Sequence, residues 1–370
     1  MGGSNICRAC RSTDGEIVLD LGLQPACDYF PGSGDPGPDP VYPLQMWLCT
    51  GCGLAQLLSD PTTPEEPRGA EPAALAAQAA EAVGLASAAG LLPEGATVAE
   101  YGSPHGGSWL GLLAARGLAP VADDRPANVI IDCFGMMHAA DQAAALDERA
   151  GRLAAGGVLL LQYHSLDAII RLGQWNVLRH GHYAYYSTTA LVTLLAAHGL
   201  MPRCAWQFDL YGGTVLIAAG RAADGAAVAD RSVRSLLANE ASTGVRDPAV
   251  VSRLQRESQR RAAGLRAFLI SERSVGHAVL GYGAASRAVA LLRAADIDSS
   301  LLPAVIDASP AKQGLRMPGT NIPVVAPAEL AARPAAVILF VADLLAEVRT
   351  SYPEVESSGG SWIDADALSS

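Results

Sequence analysis

Two sets of side chains in this sequence have the types and spacing to do chemistry. The first is sulfur. Cys7-x-x-Cys10 and Cys49-x-x-Cys52 are two knuckles with 38 residues between them. Each CxxC turn offers two sulfurs with backbone N–H groups facing them, and four soft ligands close a tetrahedral zinc shell. The set points to structural zinc, since a catalytic zinc keeps one position open. Cys27, Cys133 and Cys204 read as small packed residues. A total of seven is odd and argues against a disulfide framework. The second set is aromatic and basic. His164 follows the apolar run VLLLQ, and His180, His182 and Tyr183 stand together in HGHYAYY. Imidazole is the natural base near pH 7, and a phenol can donate to a developing oxyanion. The same run also suits a polar loop packed under the following helix.

Two glycine turns could hold nucleotides. In ATVAEYGSPHGGSWLGLLAARG, a strand over residues 97–100 turns through Gly102, Gly106 and Gly107 into a helix over residues 109–115. Strand, glycine turn and helix make the generic site of a nucleotide-bearing cofactor, and glycine admits close approach of the backbone. Glu100 ends the strand, and Asp124 follows at about the distance from which an acid holds ribose hydroxyls. A plain structural turn would look similar. The second turn, Gly281-Tyr282-Gly283-Ala284-Ala285-Ser286-Arg287, leads into a helix whose N-terminus favours phosphate. Asp307 ends the next strand at the ribose position, and a polar loop with Lys312-Gln313-Gly314 and Pro318-Gly319-Thr320 follows.

The elements around these residues define an α/β chain. With 370 residues, the prior is two to three domains. Half of the residues are hydrophobic and only 17% charged, which excludes global disorder. A net charge of −11 argues against nucleic acid as the main partner. The start, MGGSNICRAC, lacks a basic then apolar leader, and the best apolar run, AAVILFVA, is strand-length. The expectation is a soluble, cytoplasmic protein with no membrane partner; oligomeric state is left open. The organisation read from the chain is a zinc-binding module over 1–60, a Pro/Glu linker over 61–72, a first βα block over 73–221 and a second over 247–370. Residues 222–246 read as loop with a short helix. A late strand pair, residues 203–209 and 214–219, suits the reversed end of a methyltransferase-type sheet. After Asp124 only four residues precede the strand 129–133. A parallel crossover needs at least about ten to twelve. The helix and strand that would wall an adenine therefore have no room: either the block is truncated or residues 121–122 are not a parallel strand.

Several segments together resemble a family: CRAC, WLCTGCGLAQL, HGHYAYYS, LYGGTV, GYGAASR and KQGLRMPGTNIPV. Their order and spacing are similar to the sugar C-methyltransferases of antibiotic deoxysugar pathways. The resemblance implies a zinc module, a central class I methyltransferase-like Rossmann domain for S-adenosylmethionine and a C-terminal Rossmann-like domain for a nucleotide-diphosphate keto-sugar. It implies His182 as the base that makes an enolate beside the ketone. His180 and Tyr183 match its neighbours, and His164 matches a family histidine after the preceding strand. Tyr282, Ser286, Arg287, Asp307 and Lys312 fall on the sugar-nucleotide side, with Arg287 where many members carry lysine. Glu100, Gly102, Gly106 and Asp124 fall on the cofactor side. Departures gather there: Gly181 replaces a glutamate of the histidine run, Arg179 stands where the family tends to have tyrosine, and the central domain is shortened.

Three readings follow. One is methyl transfer to a nucleotide-activated keto-deoxysugar. Another is a relative on the same scaffold that epimerises, isomerises or eliminates without S-adenosylmethionine, using the histidines for enolisation. The third is a non-catalytic binding protein. Lys312 is the single lysine against 25 arginines, a bias expected of a GC-rich genome, so its place in the KQG loop is notable.

Overall fold

A computed structural model describes residues 5–35, 37–62, 72–104, 107–122, 125–224 and 229–368. The cysteine segment folds as a meander of three antiparallel strands: β1 (Gly15–Pro25), β2 (Val41–Cys49) and β3 (Ala55–Leu57). Alternation along β2 buries Leu44, Met46 and Leu48 on one face.

The first βα block contains α1 (Ala73–Ala88), β4 (Thr97–Gly102), α2 (Leu110–Ala114), β5 (Ala119–Pro120) and β6 (Ala127–Cys133). It continues with α3 (Gln142–Arg152), β7 (Leu153–His164), α4 (Leu166–Leu172), β8 (Ala184–Tyr185), α5 (Thr188–Ala197), β9 (Leu200–Phe208) and β10 (Thr214–Arg221). Caps mark the helix starts. Asp141, Ser165 and Ser187 each accept from a backbone N–H of the first turn of α3, α4 and α5. The sheet order is β5-β4-β6-β7-β10-β9, with β10 antiparallel to both neighbours. The reversed end expected of a methyltransferase-type sheet is present. β8 leaves this block and pairs with β3, Ala55 opposite Tyr185.

β5 settles the question of the short connection. It is parallel to β4, but it pairs only Ala119 with Thr97 and Pro120 with Val98. β4 runs on to Gly102 beside β6. β5 thus pairs only with the amino end of β4, and β6 begins at Ala127.

Residues 231–243 supply the helix within the segment read as loop with a short helix. They form α6 (Arg231–Thr243), capped by Asp230 and stopped by left-handed Gly244. Val233, Leu236 and Glu240 bury one face at helical spacing. α7 (Pro248–Val251) and α8 (Arg253–Ser274) lead to the last block. There β11 (Val279–Tyr282), α9 (Ser286–Ala294), β12 (Val305–Ile306), β13 (Val324–Val325), β14 (Ala336–Leu339) and β15 (Ser361–Asp364) build a parallel sheet. Its order is β13-β12-β11-β14-β15. One apolar core runs from Met46 and Leu48 through Trp175 and Leu178 to Val289 and Ile338, so the meander and the last block pack on a shared interior.

Candidate active site between two sheet crevices

In an open α/β sheet, ligands bind beyond the carboxyl ends of the strands, where the strand order reverses. This chain has two such points, and both open on one cavity of about 350 Å³. From the central sheet come Ser103 and Pro104 after β4, and Cys133 and Phe134 after β6. From the last sheet come Gly283 and Ala284 after β11, and Val341 after β14. Leu75 of α1 and Tyr211 of the loop between β9 and β10 complete the wall.

His182 lines the cavity, and so does His138, which the histidine run did not reveal. Their rings meet edge to face with centroids 4.6 Å apart. His138 follows β6, at the end of a strand where ligands gather; that position was the available signal. Two backbone links hold the pair: the Tyr183 N–H donates to the Met137 carbonyl at 2.7 Å, and His138 Nδ1 donates to the Gly181 carbonyl at 3.0 Å. Gly181 has φ of +84°, which favours glycine and allows this turn.

His164 also faces the cavity, from the end of β7, with Nε2 3.1 Å from Gln174 Oε1. Burial, then the nearby Arg287 charge, lowers its pKa to about 3. It stays neutral and is a weak base. His180 and Tyr183 are not brought to the cavity. His180 Nε2 is 3.2 Å from the Pro43 carbonyl and its ring packs on Tyr42. Tyr183 lies beneath the Arg8 guanidinium, on the side of the zinc module. Burial, then Asp60, pushes its phenol up.

The sugar-nucleotide candidates converge. Tyr282, Ser286, Arg287, Asp307 and Lys312 all line the cavity. Lys312 Nζ donates to the Ala284 carbonyl at 2.9 Å, while the Ala284 N–H donates to Asp307 at 2.8 Å. The lysine and the acid thus brace one residue of the glycine turn, Ala284, at its carbonyl and its N–H. Lys312 is 5% exposed and stands over the Phe30 ring. Arg287 reaches across to the Tyr211 ring. Arg179 adds a third cation, its Nη1 3.0 Å from Ser286 Oγ and its Nη2 2.5 Å from Asp28. The Pro318-Gly319-Thr320 part of the loop points elsewhere. A Cβ at Gly319 would lie 2.7 Å from Pro25, and its N–H donates to Asp39, so it seals the last block onto the meander.

On the cofactor side, Glu100 is spent locally, accepting from Ser108 Oγ at 2.6 Å and the Trp109 N–H at 2.5 Å. Gly102 has open space where a Cβ would be. Gly106 and Asp124 lie outside the described residues.

The four candidate metal ligands come together. All four sulfurs of Cys7, Cys10, Cys49 and Cys52 lie within 4.8 Å of one another. Cys7 pairs with Cys52 and Cys10 with Cys49, each at 3.6 Å. Beyond this cluster, no helix among the described residues is long and apolar enough to cross a membrane.

A family model described as "C-methyltransferase C-terminal domain" matches residues 209–365. Another, described as "Putative zinc binding domain", matches residues 7–66. The chain is 26% identical to the C-methyltransferase NovU of Streptomyces niveus, over 96% of this chain and 94% of that one. Among solved structures it is similar to the 1,6-didemethyltoxoflavin-N1-methyltransferase of Burkholderia thailandensis. That match has 14% identity and a TM-score of 0.30, covering 40% of this chain and 78% of that one. The magnesium protoporphyrin IX methyltransferase of Synechocystis PCC 6803 matches at 14% identity and TM-score 0.30, covering 40% and 84%.

Proposed function

The chain being a methyltransferase that resembles the zinc-containing C-methyltransferases, we propose that it methylates carbon in a nucleotide-activated keto-sugar through an enolate. The observation that carries this reading is the single cavity shared by two sheet crevices, with an imidazole pair where they meet. One crevice suits each of two ligands. The last block would take the nucleotide diphosphate: the α9 N-terminus, Arg287, Lys312 and Arg179 supply positive charge. Asp307 stands at the end of β12, near the ribose position.

S-adenosylmethionine, when bound, supplies an electrophilic methyl group. The residues present fit the methionine half of it. Ser103, Pro104, Cys133 and Phe134 would line that half, beside the open space over Gly102. His182 takes the proton from the carbon beside the ketone, with His138 packed on it. The C–H electron pair would become the enolate and then the new carbon–carbon bond, as the methyl–sulfur bond breaks and leaves its electron pair on the sulfur of the departing thioether. His164, held neutral, can hydrogen-bond without competing for the proton. Val177 and Leu344 add apolar surface to the cavity wall.

The test is incubation with S-adenosylmethionine carrying a labelled methyl group and a panel of nucleoside-diphosphate keto-sugars. Label should appear on carbon, and His182→Ala should abolish it. No label and no cofactor binding by calorimetry would sink the reading. One observation favours a second reading, enolisation without methyl transfer: β5 spans only Ala119–Pro120 and pairs with the first two residues of β4. That reading expects deuterium to enter the keto-sugar in the absence of cofactor.

A further inference from the structure

Asp60 is the last residue of the zinc module, far in sequence from the histidines, yet it is bonded into their loop. Its Oδ2 accepts from the Gly181 N–H at 2.6 Å. Its Oδ1 is fixed by the Thr62 N–H at 3.0 Å and the Thr62 hydroxyl at 2.6 Å. The far side of the same residue is the Gly181 carbonyl, which meets His138 Nδ1 at 3.0 Å. A carbonyl oxygen can only accept, so Nδ1 carries the hydrogen. Neutral His138 is then the Nδ1–H tautomer, and its lone pair is on Nε2. A carboxylate that holds the Gly181 N–H orders the loop, and with it the position of the carbonyl that the same residue presents to His138.

We propose that Asp60 is a positioning residue of the proton-transfer site: through Gly181 it holds His138 in the Nδ1–H tautomer, edge to face against His182. The proposal rests on the imidazole pair being the proton-transfer site. It makes the end of the N-terminal module part of the catalytic scaffold, although the carboxylate does not line the cavity. Tyr183, Arg8, His180 and Tyr185 also lie within reach of its charge.

The test uses the full chain, labelled with 15N at its seven histidines, with His138 assigned from a His138→Gln variant. In the parent protein the neutral His138 signals should report the Nδ1–H tautomer. In Asp60→Ala they should move toward a tautomer mixture. In the same variant kcat should fall about tenfold or more, with KM within about twofold and zinc content unchanged. Asp60→Asn keeps an acceptor for the Gly181 N–H, so it should retain the tautomer and lose less activity. It also serves if the alanine variant does not fold, in which case an Asp60→Asn chain with unaltered tautomer and near-parental kcat supports the assignment, and one with scrambled tautomer overturns it. An Asp60→Ala chain that keeps the Nδ1–H tautomer overturns the proposal, whatever its activity. A parent protein with the tautomer as assigned but no turnover would instead count against the functional reading.

Discussion

The three histidines that face the cavity share a residue type but not an environment. His138 and His182 pack on each other, whereas His164 sits beside Arg287 and is kept neutral. Its folded pKa of about 3, against an unfolded value near 6.5, has a consequence for stability. Between those values the unfolded chain binds a proton that the folded chain refuses. Stability from this residue is therefore full above about pH 6.5 and falls as pH drops toward 3. His164→Gln should flatten that acid limb in denaturant titrations run from pH 7 to 4. Lys312 belongs to the same scale. Buried under Phe30 and bonded to the Ala284 carbonyl, it has little room for a guanidinium. Lys312→Arg should weaken nucleotide-diphosphate binding by about tenfold. Unchanged affinity by calorimetry would return this lysine to chance.

At the scale of elements, the zinc module reaches the active site through one strand pair. β8 begins one residue after Tyr183 and is held by β3, which begins three residues after Cys52. Metal removal should therefore lower kcat even though none of the four cysteines lines the cavity. A chelator titration followed by activity and by zinc content, expected near one per chain, checks this. Trp47, 2% exposed, packs with Cys7, Cys49 and Cys52. Trp47→Ala should cost about 3–5 kcal/mol by the cavity it leaves. The metal ligands and the βα turns were legible in the sequence, because CxxC spacing and glycine turns are local. The shortness of β5 was also legible, as a count of residues. Its pairing with the amino end of β4 alone was not, since a count does not say where a strand pairs.

At the scale of the whole molecule, buried ion pairs tie the three blocks together. Arg316 grips Asp39 with both nitrogens, at 2.6 and 2.7 Å, and both side chains are more than nine-tenths buried. Burial pushes the Asp39 carboxyl up, but Arg316 and the Gly319 N–H outweigh it and hold the group below its usual range. Asp39→Ala leaves a buried guanidinium without its partner and should cost about 3–5 kcal/mol. More than one unfolding step in the variant would show that the meander and the last block unfold separately. Arg179 does similar work at the cavity, joining Asp28 of the meander to Ser286 of α9.

The sequence by itself determined the α/β class, the four sulfur ligands, the reversed sheet end and the family resemblance. Each of these rests on local periodicity, on short spacing or on order along the chain. Only the tertiary structure decided which candidates meet. It drew His138 to His182 and turned His180 and Tyr183 away. It also set Asp60 behind Gly181 and closed two separate crevices on one cavity. The reason is geometric. Residues two apart in an irregular turn face different neighbours, and the neighbours come from strands that pair across more than a hundred positions.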